Sequence, residues 1–501
     1  MKTRTVLIAA ALLLTATGAL FSRPVDDFFA KATTKPDNCV TCHRAMEEAS
    51  GMKYTSDIHY KKGISCAGCH GGDPTTDDQD KAMSPASGFI GVPKGDDISK
   101  TCQKCHSDAQ VMQSGFRSAI GLNQLEDLDA SVHGKAVTSG QGRLAQCVTC
   151  HGVHNIKSVT DPQSPVHPLN VNRTCASCHS NAVFMRSYNP ALPIDQEEKY
   201  RTSVHGMRLA KGDSKVAVCS SCHGSHNILK AVDAKSQVNA INIPATCGKC
   251  HANAEYMKPY GIPTDQLAEF RTSVHGQALL EKHDLGAPSC NDCHGNHGAA
   301  PPDVESISKV CGTCHAMNAS LFAESPHKKA YDDLGLPECE TCHGNHAIVS
   351  ATDALLGTSD DAVCSRCHSA SDNPKGYQAA GLMRSMIDTL ETEEKKADSL
   401  VTNAEQKGME ISEAKFKLRD IRQARLQSRT MVHAFNPAKF AEVVDPGIAI
   451  ARTVAGEGQA SIDEYYFRRY GLGVATLIIT IVAIALYLVI KRIEKKQAEK
   501  A

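Results

Sequence analysis

The pattern Cys-x-x-Cys-His occurs eleven times between residues 39 and 368, and these copies use all 22 cysteines of the chain. One Cys-x-x-Cys could be a redox disulfide or half of a zinc site. Eleven, each followed by histidine and with no cysteine left over, exclude both and read as attachment sites for c-type haem. The two thiols of each bond to the vinyl groups of one porphyrin, and the histidine ligates its iron from one face. The first site is Cys39, Cys42 and His43. Next come Cys66, Cys69 and His70, then Cys102, Cys105 and His106. Cys147, Cys150 and His151 precede Cys175, Cys178 and His179; Cys219, Cys222 and His223 precede Cys247, Cys250 and His251. Cys290, Cys293 and His294 are followed by Cys311, Cys314 and His315. The last two are Cys339, Cys342 and His343, and Cys364, Cys367 and His368. The expected cofactors are eleven covalently bound haem c.

These motifs span 330 residues, or thirty per haem. Aromatic residues make up 5% of the chain and tryptophan is absent, which is thin for an ordinary core of this size. Porphyrin faces must therefore supply much of the buried apolar surface. Without haem the segment should not fold, as with small metal domains that are unfolded in the apo state. A formal net charge of −1 carries no nucleic-acid signal.

Most motifs fall into two-haem repeats. The clearest copy opens at Ser131-Val132-His133-Gly134, carries Cys147–His151 and then Gly152-Val153-His154, and ends with Cys175–His179. Matching copies contain His205 and His226, then His275 and His297; a fourth contains His327 and His346. An eroded first copy contains His59, and the motif at Cys39 stands outside the array. Eleven haems with two histidines each need eleven beyond those in the motifs, and the chain has twelve. Nine hold repeat positions: His59, His133, His154, His205, His226, His275, His297, His327 and His346. His433 is the tenth, and His167 and His283 compete for the last place, with His167 in the expected metal-ligand set. Spacing does not assign these histidines to particular haems. Met112, Met185 and Met257 recur six residues after motif histidines and read as packing against porphyrin edges rather than as ligands.

The expected fold is mainly α with extensive loops: a haem-organised array, a C-terminal helical hairpin and one transmembrane helix. Residues 1–22, with Lys2 and Arg4 before an apolar run, read as a signal peptide, cleaved or retained. Residues 23–375 are the haem domain and 376–465 a hairpin and linker. In the hairpin Leu382, Met383, Met386, Ile387 and Leu390 repeat at helical spacing. Ser412 is expected as an N-cap, with Ile411 and Phe416 as a hydrophobic staple. Residues 466–492 contain twenty uncharged residues, Gly471 to Ile490, enough to span a bilayer. The basic tail, 493–501, places the C-terminus in the cytoplasm and the haem domain in the periplasm, on the inner membrane with a single span. The span has no His, Asp, Glu, Lys or Arg, so it can ligate no haem of its own.

Repeated Ser-x-His-Gly followed by Cys-x-x-Cys-His-Gly-x-His resembles the multihaem cytochromes c of anaerobic metal- and sulfate-reducing bacteria, over about residues 39–368. The helical hairpin ending in a histidine is similar to the C-terminal helices of the cytochrome c nitrite reductase and hydroxylamine oxidoreductase group. Nitrite reductases commonly carry a Cys-x-x-Cys-Lys haem, and that motif does not occur here. The resemblance implies bis-histidine haems that pass electrons between respiratory partners, with no catalytic residue. The expected partners are a quinol-oxidising membrane module (a b-type cytochrome or an iron–sulfur subunit) and periplasmic or outer-membrane cytochromes. The competing expectation is an oxidoreductase acting on a small nitrogen or sulfur compound at one five-coordinate haem, with the haem at Cys39 as first suspect.

Overall fold

The computed structural model describes residues 37–135, 142–302 and 307–499, with the side chains of 307 and 308 left out. The expected signal peptide lies outside the described residues. Every described regular element is helical. The chain divides into two compact units, Met1–Arg271 with His275–Pro301, and Thr272–Val274 with Pro302–Ala501.

The first unit is built from short helices carrying the haem motifs. On an α-helix, residues three and four apart share a face, so the motif spacing puts two thiols and the imidazole on one side. Two kinds of motif helix alternate. Asp97–His106, Pro168–His179 and Ile243–His251 run into the motif and end on its histidine. Cys147–His151, Cys219–His223 and Cys290–His294 start at the first cysteine. In these three a side chain within the motif reaches back to the backbone N–H just before it. Thr149 accepts from Gln146 at 3.0 Å, Ser221 from Val218 at 3.0 Å and Asp292 from Ser289 at 2.7 Å. The helices end at Gly152, Gly224 and Gly295, whose φ of 79–83° is the left-handed turn that glycine takes at least cost.

The second unit holds the last three motifs and a bundle of helices Pro374–Gln406, Ser412–Met431 and Pro437–Ala498. Leu390, Ala397, Ile421, Phe440, Val444 and Val454 are fully or almost fully buried at its centre. The expected hairpin is present as Pro374–Gln406 and Ser412–Met431, and the segment expected as a linker is helical and joins the same core as a third helix. Asn436 caps it by accepting from Ala438 N–H at 2.9 Å, and Pro437 occupies its first turn, where a missing N–H costs nothing. Its buried residues, from Phe440 through Ile448 to Ile462, recur at intervals of three and four. The cap and staple are corrected as well: Ser412 is the first helical residue rather than the cap, its N–H donating to Glu410 Oε1 at 3.0 Å, and Phe416 is exposed. Leu382 also faces solvent. Beyond Ile462 the same helix continues without a break into an apolar stretch that is exposed along its length. By length and composition that stretch can cross a membrane.

Candidate haem sites

Among the described residues, at least eight motif histidines have a second histidine ring about 6 Å away. His59 and His106 are 6.0 Å apart between ring centroids, His133 and His179 6.0 Å, His205 and His251 6.1 Å, and His327 and His368 5.8 Å. His70 and His154 are separated by 6.0 Å, His151 and His226 by 6.2 Å, His223 and His297 by 6.1 Å, and His343 and His433 by 6.1 Å. Two metal–nitrogen bonds of about 2.0 Å, with roughly 1 Å from each nitrogen to its ring centre, also give about 6 Å. The pairs fit an iron between them.

The pairs follow two rules. In the first four, the histidine of the Ser-x-His segment, Asp57-x-His59 in the first copy, stands against the second motif of its own copy, and the ring planes cross at 84°, 73°, 66° and 88°. In the others, the histidine of Gly-x-His stands against the first motif of the preceding copy, with planes 28°, 14° and 9° apart. His433, at 22° to His343, takes that role for the last copy, which no further repeat follows. The helical bundle therefore completes the array in the manner of a capping repeat.

Backbone ties between copies produce the second rule. Ile58 N–H donates to Ile156 at 2.8 Å, Val132 to Ile228 at 2.9 Å, Val204 to Ala299 at 3.1 Å and Val274 to Ile348 at 2.9 Å. Each acceptor lies two residues after a Gly-x-His histidine, so each tie draws that histidine back toward the preceding copy. Within the Ser-x-His-Gly turn, Ser203 Oγ accepts from Gly206 N–H at 2.9 Å and donates to Tyr200 at 2.6 Å. A Cβ at Gly134, Gly206 or Gly276 would overlap the carbonyl oxygen of Leu128, Tyr200 or Phe270, which is why glycine stands there.

Attachment points follow one another in sequence order. The thiols of Cys102 and Cys147 are neighbours, as are those of Cys175 and Cys219, Cys247 and Cys290, and Cys311 and Cys339. Each contact joins the second motif of one copy to the first motif of the next. These sulfurs stand in for thioethers, so their acidity as thiols has no bearing on the holoprotein. At the same junctions Ser99 Oγ accepts from Cys147 N–H at 3.2 Å and Asn172 Oδ1 from Cys219 N–H at 3.1 Å.

Several rings have Nδ1 engaged, which leaves Nε2 for a metal. His70 donates to the Gly91 carbonyl at 2.8 Å and His433 to the Thr430 carbonyl at 2.9 Å. His59 Nδ1 meets Asp57 Oδ1 at 2.8 Å, and Asp57 also accepts from Ile156 N–H at 2.7 Å. Burial pushes the Asp57 carboxyl up, but the hydrogen bonds from His59 and Ile156 outweigh it and hold the group below its ordinary range. Burial, with His59 and His151 nearby, pushes His106 down to about 4; burial and the facing ring likewise lower His133 and His205. Such imidazoles stay neutral and keep the lone pair a metal requires.

Two segments, residues 58–180 and 281–369, match the model of the cytochrome c3 family. These segments cover less than half of the chain, and with the motifs and paired histidines they support a multihaem cytochrome c. The chain is a multihaem cytochrome c. It is 23% identical over 307 residues to the C-type polyheme cytochrome OmcC of Geobacter sulfurreducens, covering 53% of this chain and 37% of that protein. The cytochrome thus spans little more than a third of the relative it matches.

The cytochrome's remaining histidines have other settings. His167, expected as a ligand, instead caps helix Pro168–His179: its Nδ1 accepts from Leu169 N–H at 3.2 Å, and among the described residues of its unit no motif histidine faces it. In the neutral ring that bond puts the proton on Nε2 and removes the lone pair a metal would use. His283 is exposed in a left-handed turn, φ 54°. Met112, Met185 and Met257 are buried. Asp57 went unrecognised in the sequence, although it stands two residues before His59 as Ser131 does before His133. Glu48, 2.8 Å from His43 Nδ1, left no sequence signal.

Proposed function

We propose that the cytochrome carries eleven haems and conducts electrons between a quinol-oxidising membrane module and periplasmic or outer-membrane cytochromes. When bound, the haems supply one-electron transfer along the array. The histidine pairs carry this reading: an iron held from both faces by imidazole has no position for substrate and can exchange only electrons. Besides the sixteen paired rings, His275 and His346 occupy the same repeat positions as His205 and His226, which makes ten second ligands for ten haems. The order of thiol contacts supports a path that runs with the sequence. Asp57, Ser131 and Ser203 hold the ligand turns rigid, so little reorganisation opposes each transfer.

Gly471 to Ile490 would anchor the array to the inner membrane with the haems in the periplasm, since basic residues follow the span more densely than they precede it. The span has no group for quinone chemistry, which assigns that step to a partner. Mild detergent extraction of native membranes is expected to recover the cytochrome with a b-type cytochrome or iron–sulfur subunit, its haems reducible by quinol. Recovery alone, with haems that quinol reduces no faster than in the isolated chain, would contradict this role.

A further inference from the structure

We infer that the haem at Cys39 keeps one axial position open to a small ligand, with Glu48 tuning the single imidazole, His43, that holds its iron. This rests on the bis-histidine reading of the other ten haems.

The motif at Cys39 sits where the second motif of a copy sits relative to the next first motif. Asp37 Oδ2 accepts from Cys66 N–H at 3.3 Å, the bond that Ser99 makes to Cys147 and Asn172 makes to Cys219. Second motifs take their ligand from a Ser-x-His segment lying ahead of them in the same copy, and no histidine precedes Cys39 in this chain. The two histidines outside the pairing rules are committed elsewhere, His167 to its helix and His283 to an exposed turn.

The surroundings of His43 are built differently from those of its counterparts. Helices Asn38–Ala45 and Ala49–Tyr54 are joined by a tight turn with Glu47 at φ 56°. Gly51 lies so close to His43 that a Cβ would stand 2.9 Å from the His43 Cβ. This turn delivers Glu48 Oε2 to His43 Nδ1 at 2.8 Å. A carboxylate there takes the Nδ1 proton into a charge-assisted bond and makes the imidazole a stronger electron donor. Glu48 is thus a positioning and tuning residue, and the open face suits carbon monoxide, nitric oxide or cyanide. A site of that kind would let the array end in delivery of electrons to a small oxidised nitrogen or sulfur compound.

The test is a carbon monoxide titration of the full-length, dithionite-reduced holoprotein, with resonance Raman before and after. One equivalent per chain is expected, with an iron–histidine stretching band that disappears on binding. In Glu48→Gln the band should move to lower frequency while one equivalent still binds. Cys39→Ala/Cys42→Ala, which lacks the haem, should bind none. No binding to a protein whose haems are all low-spin would overturn the inference and leave the bis-histidine reading intact. Binding of several equivalents would instead overturn the bis-histidine reading. An unmoved band in Glu48→Gln, or binding that persists without Cys39 and Cys42, would remove the assignment to this site.

Discussion

His154→Met is expected to raise the reduction potential of the haem at Cys66 by roughly 0.1–0.3 V, within the ~0.8 V range that axial ligands command, and to leave the haem at Cys147 unchanged. In sequence His154 follows the Cys147 motif by three residues, so proximity along the chain would assign it there. The ring instead stands 6.0 Å from His70, eighty-four residues away. Thioether sulfur is a weaker donor to ferric iron than imidazole and favours the reduced state. Spectroelectrochemical titration of the variant should show one haem leaving the low-potential envelope. Its identity follows from the triple variant that adds Cys66→Ala and Cys69→Ala to His154→Met, in which the raised component disappears. A raised component that survives loss of the Cys66 haem would contradict ligation across copies.

Preventing haem attachment is expected to unfold the array while the C-terminal bundle survives. The contiguous apolar core, from Met383 through Leu390, Ile421, Phe440 and Val454 to Ile462, lies in the second unit and consists almost entirely of bundle residues. In the first unit the buried apolar side chains are few, among them Val111, Leu125, Val171 and Leu279, and they cannot offset the conformational entropy of nearly 300 residues without porphyrin. Hydrogen exchange on the chain made without haem should find amides of residues 38–343 exchanging freely. Amides of 380–460 should stay protected by on the order of a thousand-fold or more, about 4 kcal/mol. Protection of the array without haem would show that protein contacts alone hold it.

The haem array was legible because the chemistry demands fixed spacing: two thiols and a histidine on one helical face leave a pattern that composition cannot imitate. Recurrence then marked His133, His205 and His226 as ligand candidates. The assignment of ligands such as His226 to the preceding copy was hidden because it depends on backbone ties such as Ile58 to Ile156, between residues ninety-eight apart, with no side-chain signature. The third bundle helix was missed for another reason. Gly447, Ala451 and Gly458 lie on its buried face because the neighbours come close: a Cβ on Gly447 would crowd Ala424, and one on Gly458 would meet Leu400. Small residues dilute the hydrophobic period, and Pro446 reads as a helix break although it sits inside the helix. His433 was recognised as a lone histidine near a helix end, but its role became clear only as the substitute for a repeat that does not follow.

The electron-transfer array depends on paired imidazoles whose planes alternate along the chain. Ferric haems with nearly perpendicular axial rings give strongly anisotropic low-spin signals, whereas nearly parallel rings give ordinary rhombic ones. Low-temperature electron paramagnetic resonance of the fully oxidised holoprotein is therefore the most direct test. Two low-spin populations of similar size are predicted, one from haems such as those at Cys102 and Cys175 and the other from those at Cys66 and Cys147, with a separate minor signal from the haem at Cys39. Removing the Cys175 haem should diminish only the anisotropic class, and removing the Cys147 haem only the rhombic one. A single rhombic population, or high-spin iron at several haems, would contradict that pairing.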